Sequence, residues 1–280
     1  MKSFNVFKDQ ILELNQDDTK EYGVDFFKSY QLIQHVNNNN INIKFTREGQ
    51  PLRANIALIN SSQYPFIMDH LADILHIEEL SYFNNLQIEK RRKEYLLAHY
   101  AAKIVAGAYI GENEFSQIEI ASGYFRQPIV KYKVSDIPEI SLSHCVDMAV
   151  AISCEGGHLI GIDIEKVDFT KTKILKGQLT ETELEWVQNQ NIENYVLYNQ
   201  IWTIKESLSK AIKCGLTVPF NILEIDKQEY QDGFLCCEFK NFGQYKCYNW
   251  IIDDYAMSIT VPKKTDISID IKEIKERLNS

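Results

Sequence analysis

The sequence is missing several features, and each absence closes off a class of protein. No stretch reaches the ~18 uninterrupted apolar residues of a membrane-spanning helix. Residues 1–9, MKSFNVFKD, lack the apolar run of a secretory leader. Both predict a cytoplasmic protein without membrane contact. There is no Cys-x-x-Cys among Cys145, Cys154, Cys214, Cys236, Cys237 and Cys247. Adjacent Cys236 and Cys237 would rarely bond one another, and the spacings do not suggest zinc, so reduced, mostly core-filling thiols are expected. Positive charge is also short: 30 Lys and Arg stand against 39 Asp and Glu, a net charge of −9. That argues against broad nucleic-acid binding, which draws its affinity from many phosphate contacts. A polyanionic small ligand in a local basic pocket remains compatible. Lys90-Arg91-Arg92-Lys93 is one such cluster, although a solvated helix face is its plainer reading.

Core-building material is present, with 45% hydrophobic residues over 280 positions, enough for one large domain or two modest ones. Asn37–Asn40 reads as a polar loop tip. Leu96, Leu97, Tyr100, Ala101, Ile104 and Val105 recur at helical spacing, which predicts an amphipathic helix from about Ile88 with the basic cluster at its start. Strands are expected at 117–121, 141–143 and 148–153, then a turn at Gly156-Gly157 and an alternating strand over His158–Glu165. One helix should begin at Thr180. Another should run through Ile201–Cys214 and stop at Gly215. Strands at 245–252 and 256–261 follow. The class is α+β. Lys93-Glu94-Tyr95-Leu96 faintly echoes Lys205-Glu206-Ser207-Leu208.

Three stretches carry candidate chemistry. In Gly161-Ile162-Asp163-Ile164-Glu165, strand alternation puts Asp163 and Glu165 on one face, with Cα atoms ~7 Å apart. Such carboxylates repel unless a proton, a basic partner or a hard cation intervenes. Oxygen donors without nearby His or Cys favour magnesium or manganese over zinc. An ordinary acidic strand face is the plainer alternative. In 202–211, Ile201, Ile204, Leu208 and Ile212 form an apolar stripe, and Trp202, Glu206 and Lys210 line a neighbouring one. Glu206 and Lys210 are either a surface i,i+4 pair or a third metal-binding carboxylate and a phosphate-binding lysine. Finally, Thr180-x-x-Glu183 is a capping box, or Glu183 is a general base.

Gly161–Glu165 followed by Trp202-x-x-Lys205-Glu206-x-x-x-Lys210 resembles the signature pair of the 4′-phosphopantetheinyl transferase superfamily, in its broad-specificity, monomeric branch of two pseudo-symmetric halves. Ser141-Leu142-Ser143-His144 is similar to that branch's third motif. The resemblance spans about 71–261. It implies two α+β halves, 1–157 with an N-terminal extension and the coenzyme-binding basic helix, and 158–280 with the magnesium site. It implies transfer of phosphopantetheine from coenzyme A to a serine of an apo acyl, peptidyl or aryl carrier protein, with release of 3′,5′-ADP. A catalytically retired relative that only binds carrier or coenzyme A is the alternative. Residue by residue, it implies Asp163, Glu165 and Glu206 as Mg2+ ligands, Glu183 as general base and Lys210 as the lysine assisting the leaving nucleotide. His144, with Ser143 beside it, would meet the 3′-phosphate of coenzyme A. Arg91 or Arg92, Arg126 and Lys205 are expected among the coenzyme-binding residues. Departures from the family pattern are Arg126-Gln127-Pro128 in place of Gly-Lys-Pro, Cys145 after the histidine, and Ile77-Glu78-Glu79-Leu80 where a basic pair is common. Docking of an acidic carrier on an acidic enzyme should use a local basic or apolar patch near the cleft between the halves.

Overall fold

The computed structural model describes residues 23–278 apart from Asp232, so the start of the expected N-terminal half, 1–22, lies outside the described residues. Helix α1 (Gly23–Asn39) makes up the described part of a compact unit that ends at Asn38, and the rest of the chain forms a second unit. The asparagine run is no loop tip. Three of its residues finish α1, and Asn40 opens a strand.

The second unit is α+β, organised around two antiparallel sheets. The first sheet contains β1 (Asn40–Arg47), β2 (Gln50–Leu52), β3 (Ala54–Asn60), β6 (Glu139–His144) and β7 (Met148–Cys154). The last strand, β13 (Thr265–Ile269), completes it in the order β13-β1-β3-β7-β6, with β2 also paired to β1. The second contains β8 (Gly161–Lys166), β9 (Ile225–Gln231), β10 (Phe234–Phe239), β11 (Tyr245–Ile252) and β12 (Tyr255–Pro262), in the order β8-β12-β11-β10-β9. A separate hairpin pairs β4 (Glu119–Ser122) with β5 (Pro128–Lys131).

Between β3 and β4 come α2 (Tyr64–Asp69), α3 (Leu71–Ile74), α4 (Ile77–Asn85) and the long α5 (Glu89–Ile110). Gly111 ends α5 with φ of 80°, a left-handed cap that costs glycine little. Between β8 and β9 come α6 (Thr172–Lys176), α7 (Glu181–Gln188) and the long α8 (Asn194–Ala211). The chain therefore repeats one order: strand, short helices, long helix, hairpin strands, paired strands.

Strand alternation explains the layers. Ile56, Leu58, Val150 and Ile152 of the first sheet share a core with Ile162, Ile164, Met257 and Ile259 of the second. α8 packs on the other side of the second sheet, where Ile201, Ile204 and Leu208 join Leu235, Cys237 and Cys247. Each fully buried Leu or Ile in these clusters contributes ~1.5–3 kcal/mol relative to exposure. All six cysteines are free thiols, and three of them are buried. The sheets change over between β7 and β8, at the glycine turn. The expected second half does not stay together to 280: after Pro262 the chain returns to the first sheet, and α9 (Ile271–Leu278) seals the shared core with Ile274 and Leu278. A hydrophilic face of mixed charge leaves α9 amphipathic, so its apolar side needs this sheet as cover. No described helix is long and apolar enough to cross a membrane.

Candidate active site

The edge strands β6 and β8 lie side by side where the two sheets meet. Side chains, rather than a backbone ladder, stitch this seam. Ser141 Oγ accepts from the Ile162 N–H at 3.1 Å, and Ser143 Oγ donates to Asp163 Oδ1 at 2.6 Å. Farther along, Lys213 Nζ reaches Glu139 Oε2 at 2.8 Å.

Gly161 explains why a helix can supply the rest of the site. A Cβ there would stand 1.8 Å from the Ser207 carbonyl oxygen and 2.7 Å from the Ala211 nitrogen. Only a glycine lets α8 rest on β8 this closely. Polar contacts then fix the helix from below: Ser207 Oγ lies 2.7 Å from Thr260 Oγ1, and Asn249 joins Gln200, Thr203 and Ser258 in a buried network. Gln200 Oε1 in turn accepts from the Tyr230 hydroxyl at 3.3 Å, and a network satisfied in this way favours one helix placement.

On this base Ile162 and Ile164 face the core, and Asp163 and Glu165 face the seam. Lys210 Nζ bonds Asp163 Oδ1 at 2.7 Å, and Lys171 Nζ bonds Glu165 Oε2 at 3.2 Å. Buried Asp163 Oδ2 has no hydrogen-bond partner. Burial, then repulsion from Asp163, raises the pKa of Glu165. Burial is also the first cause for Glu206, followed by Asp163, with Lys210 opposing them and Glu165 adding, and its pKa is pushed up to about 7. Three carboxylates thus share one field with two lysines. Among the described residues, however, no three His, Cys, Asp or Glu side chains are gathered into a formed metal cage.

His144 ends β6 with much of its side chain exposed. Its pKa is nevertheless lowered, first by partial desolvation, and it feels Glu94 and Lys90 of α5 as well as Lys210 and Asp163. The seam therefore brings α5, β6, β8 and α8 into one electrostatic neighbourhood. Arg91 is exposed on α5, and Arg126 is exposed in the turn between β4 and β5 with φ of 64°. That turn abuts the segment after α8, since a Cβ on Gly215 would lie 3.7 Å from the Phe125 carbonyl oxygen.

Three expected site residues are placed otherwise. Arg92 is spent on structure: its guanidinium donates to Phe83 O at 3.1 Å and Leu86 O at 3.3 Å, and stacks on the Phe83 ring at 4.1 Å. Glu183 is fully buried. Its Oε2 accepts from Thr180 N at 2.8 Å and from Lys205 Nζ at 2.6 Å, and Oε1 accepts from Ile225 N at 3.0 Å. Lys205, also fully buried, gives its remaining donors to Gln178 O and Phe220 O, each at 3.1 Å. Burial lowers the Lys205 pKa against the opposing pull of Glu183. A carboxylate with both oxygens engaged and no exposed surface does not meet an incoming hydroxyl, and an ammonium with three protein acceptors has no donor left for a phosphate. The capping box is thus the role the structure gives Glu183.

Sequence reasoning missed Lys171, which lies beyond the end of β8 with Lys166, Lys173 and Lys176 around it and no local pattern to single it out. It also missed the Ser143–Asp163 bond, which joins strands far apart in the chain. The seam is distinct from the surface depression lined by Phe169, Thr172, Asn191 and Tyr195, which includes none of the acidic cluster.

Comparison with known proteins bears on the same stretch. The chain is 34% identical over 109 residues to the 4'-phosphopantetheinyl transferase gsp of Aneurinibacillus migulanus, an overlap of 38% of this chain and 43% of that protein. It thus spans under half the length of the curated relative it matches. A holo-(acyl-carrier-protein) synthase from Bacillus anthracis str. Ames, solved in complex with CoA (3',5'-ADP), is 22% identical, with a TM-score of 0.34 over 40% of this chain and 96% of that one. Residues 159–260 match the family model described as the 4'-phosphopantetheinyl transferase superfamily. The segment that is similar to the 4′-phosphopantetheinyl transferase superfamily is thus the one that carries Asp163, Glu165, Glu206 and Lys210.

Proposed function

We propose that the protein is a magnesium-dependent 4′-phosphopantetheinyl transferase that uses coenzyme A to modify a serine of an apo carrier protein. The observation that carries this reading is the convergence of Asp163, Glu165, Glu206 and Lys210 at the seam beside His144, within the segment that matches the superfamily.

The donor set fits a hard cation. All three carboxylates offer oxygen, Asp163 Oδ2 is buried without a partner, and burial with mutual repulsion holds the Glu206 pKa near 7. Asp163, Glu165 and Glu206 would hold Mg2+, which neutralises pyrophosphate charge when bound. Lys210 supplies a mobile positive charge to the departing phosphate. His144, Lys90 and exposed Arg91 offer polar and cationic groups to the 3′-phosphate on the α5 side, and Arg126 approaches from the hairpin. In the reaction the serine Oγ forms a bond to the β-phosphorus, the bond to 3′,5′-ADP breaks, and the serine proton is lost. With Glu183 sealed in the interior, that proton passes to half-buried Glu165 or Glu206 or to water beside them. A cytoplasmic, monomeric enzyme suits this reading, because both halves of the site reside in one chain. A local basic or apolar patch docks the acidic carrier.

Mass spectrometry of an apo carrier incubated with the protein, coenzyme A and Mg2+ tests the reaction. The carrier should gain one phosphopantetheine, and Asp163→Ala or Glu206→Ala should cut kcat by roughly 10²–10³-fold or more while circular dichroism stays unchanged. Binding of carriers without any mass gain, from a folded sample and across a panel of carriers, would identify a retired relative instead.

A further inference from the structure

The buried Glu183–Lys205 pair has a counterpart. Glu79 also follows a capping position by three residues: His76 N donates to Glu79 Oε2 at 2.9 Å, and Ile120 N, at the start of a hairpin strand, donates to Oε1 at 2.6 Å. Lys103 of α5 bonds Glu79 Oε2 at 2.7 Å, and its other donors go to the carbonyls of Phe115 and Ile118. Both side chains are buried, and burial lowers the lysine pKa as it does for Lys205. In both halves one carboxylate thus joins a helix N-terminus, a hairpin strand and the long helix. The separation from glutamate to strand is nearly the same, 41 residues in the first half and 42 in the second.

We infer that the Glu183–Lys205 pair is a positioning lock that fixes the rotation of α8 about its own axis, and so aims Glu206 and Lys210 into the seam. The inference rests on the proposed metal-dependent transfer. Lys205 and Glu206 are neighbours, so about 100° of helix rotation separates an inward side chain from one facing the seam. Lys205 is held by three acceptors from the Gln178 loop, α7 and the segment before β9. Turning α8 by about 10° would move a side-chain tip by about 1 Å. A shift of that size is enough to cost about 100-fold in rate. The first-half lock shows that the device does not itself require reacting groups: Lys103 is followed by buried Ile104, and β3 carries no carboxylate. It is the second-half lock that governs an armed helix.

The test sets the two locks against each other in the full chain. Glu183→Gln/Lys205→Met and Glu79→Gln/Lys103→Met each remove both charges of one pair and leave similar volume. Mn2+ binding is followed by electron paramagnetic resonance, and kcat and KM for coenzyme A by carrier mass gain. The second-half variant should bind Mn2+ about 10–100-fold more weakly and lose about 100-fold in kcat, with KM within a small factor. The first-half variant should keep both Mn2+ binding and kcat at an equal loss of thermal stability. Should the second-half double variant fail to fold, Glu183→Gln alone carries the same measurements. Equal losses in the two halves, or unaltered Mn2+ binding in a folded second-half variant, would overturn the lock. Absence of transfer by the wild-type protein would refute the proposed function instead, and the Mn2+ comparison would still decide the positioning claim.

Discussion

In the first half, Lys103 meets Glu79 in the interior and the next residue, Ile104, is buried; in the second, Lys205 meets Glu183 and the next residue, Glu206, faces the seam. One turn farther on, the first helix has Ala108 and the second has Lys210. The strand that each long helix covers differs in the same way. β3 is ANIALIN, without charge, and β8 is GIDIEK. The two halves therefore share their buried ion pair, their cap and their hairpin contact, and differ at the few positions that surround the seam. Chemistry here is added to a frame that stands without it.

The sharpest way to break that comparison is to strip one partner from each lock. Lys103→Met and Lys205→Met should each lower folding stability by ~3–5 kcal/mol in urea titrations, because each leaves a carboxylate buried without its countercharge. A near-zero cost in either half would mean the two pairs are not the same device. Next comes the contact that only the second half makes. Gly161→Ala drives a methyl group into the backbone of α8 and should cost about 3 kcal/mol or more by the same measurement, with transfer lost along with the helix placement. A neutral outcome would show that α8 can lift without penalty.

A smaller effect separates Glu206 from Ile104, which cannot titrate. In the metal-free protein the Glu206 pKa lies above its ordinary 4.5, at about 7. The folded state therefore binds more protons than the unfolded state between those values. Its contribution to stability is full below pH 4.5 and is lost as pH rises through about 7. Glu165, also raised, adds in the same direction. With a chelator present, wild-type stability should fall from pH 5 to pH 8, and Glu206→Gln should flatten that fall by on the order of 1–3 kcal/mol. An identical slope in the two proteins would place Glu206 outside the cluster's field.

Much of the frame was legible from periodicity. The alternation in β8 separated Ile162 and Ile164 from Asp163 and Glu165, and the stripes of α8 separated Ile201, Ile204 and Leu208 from Trp202, Glu206 and Lys210. The helix from Glu89 and the strand from Tyr245 to Ile252 follow the same rules. What failed was depth. A lysine next to seam-facing Glu206 reads as another cation for the ligand, and only tertiary packing reveals that Lys205 points inward to a glutamate. The internal echo failed for a related reason. Lys93-Glu94 matched Lys205-Glu206 by letters, whereas the true counterpart is Lys103, whose neighbour is isoleucine. His76 in a capping position hid the first-half box, because histidine is an uncommon N-cap. The path of β13 was hidden too, since no local pattern announces a partner more than two hundred residues upstream.

That returning strand imposes an order of events during synthesis. β1 is made more than two hundred residues before its outer neighbour at 265–269 and the helix that covers the shared core. At ~5–20 residues per second, the gap leaves an open β-edge on the nascent chain for roughly ten seconds or more. The first sheet can close only once residues 265–269 have been made, so a ribosome stalled after residue 262 would hold a chain with its signature motifs complete and its edge still bare.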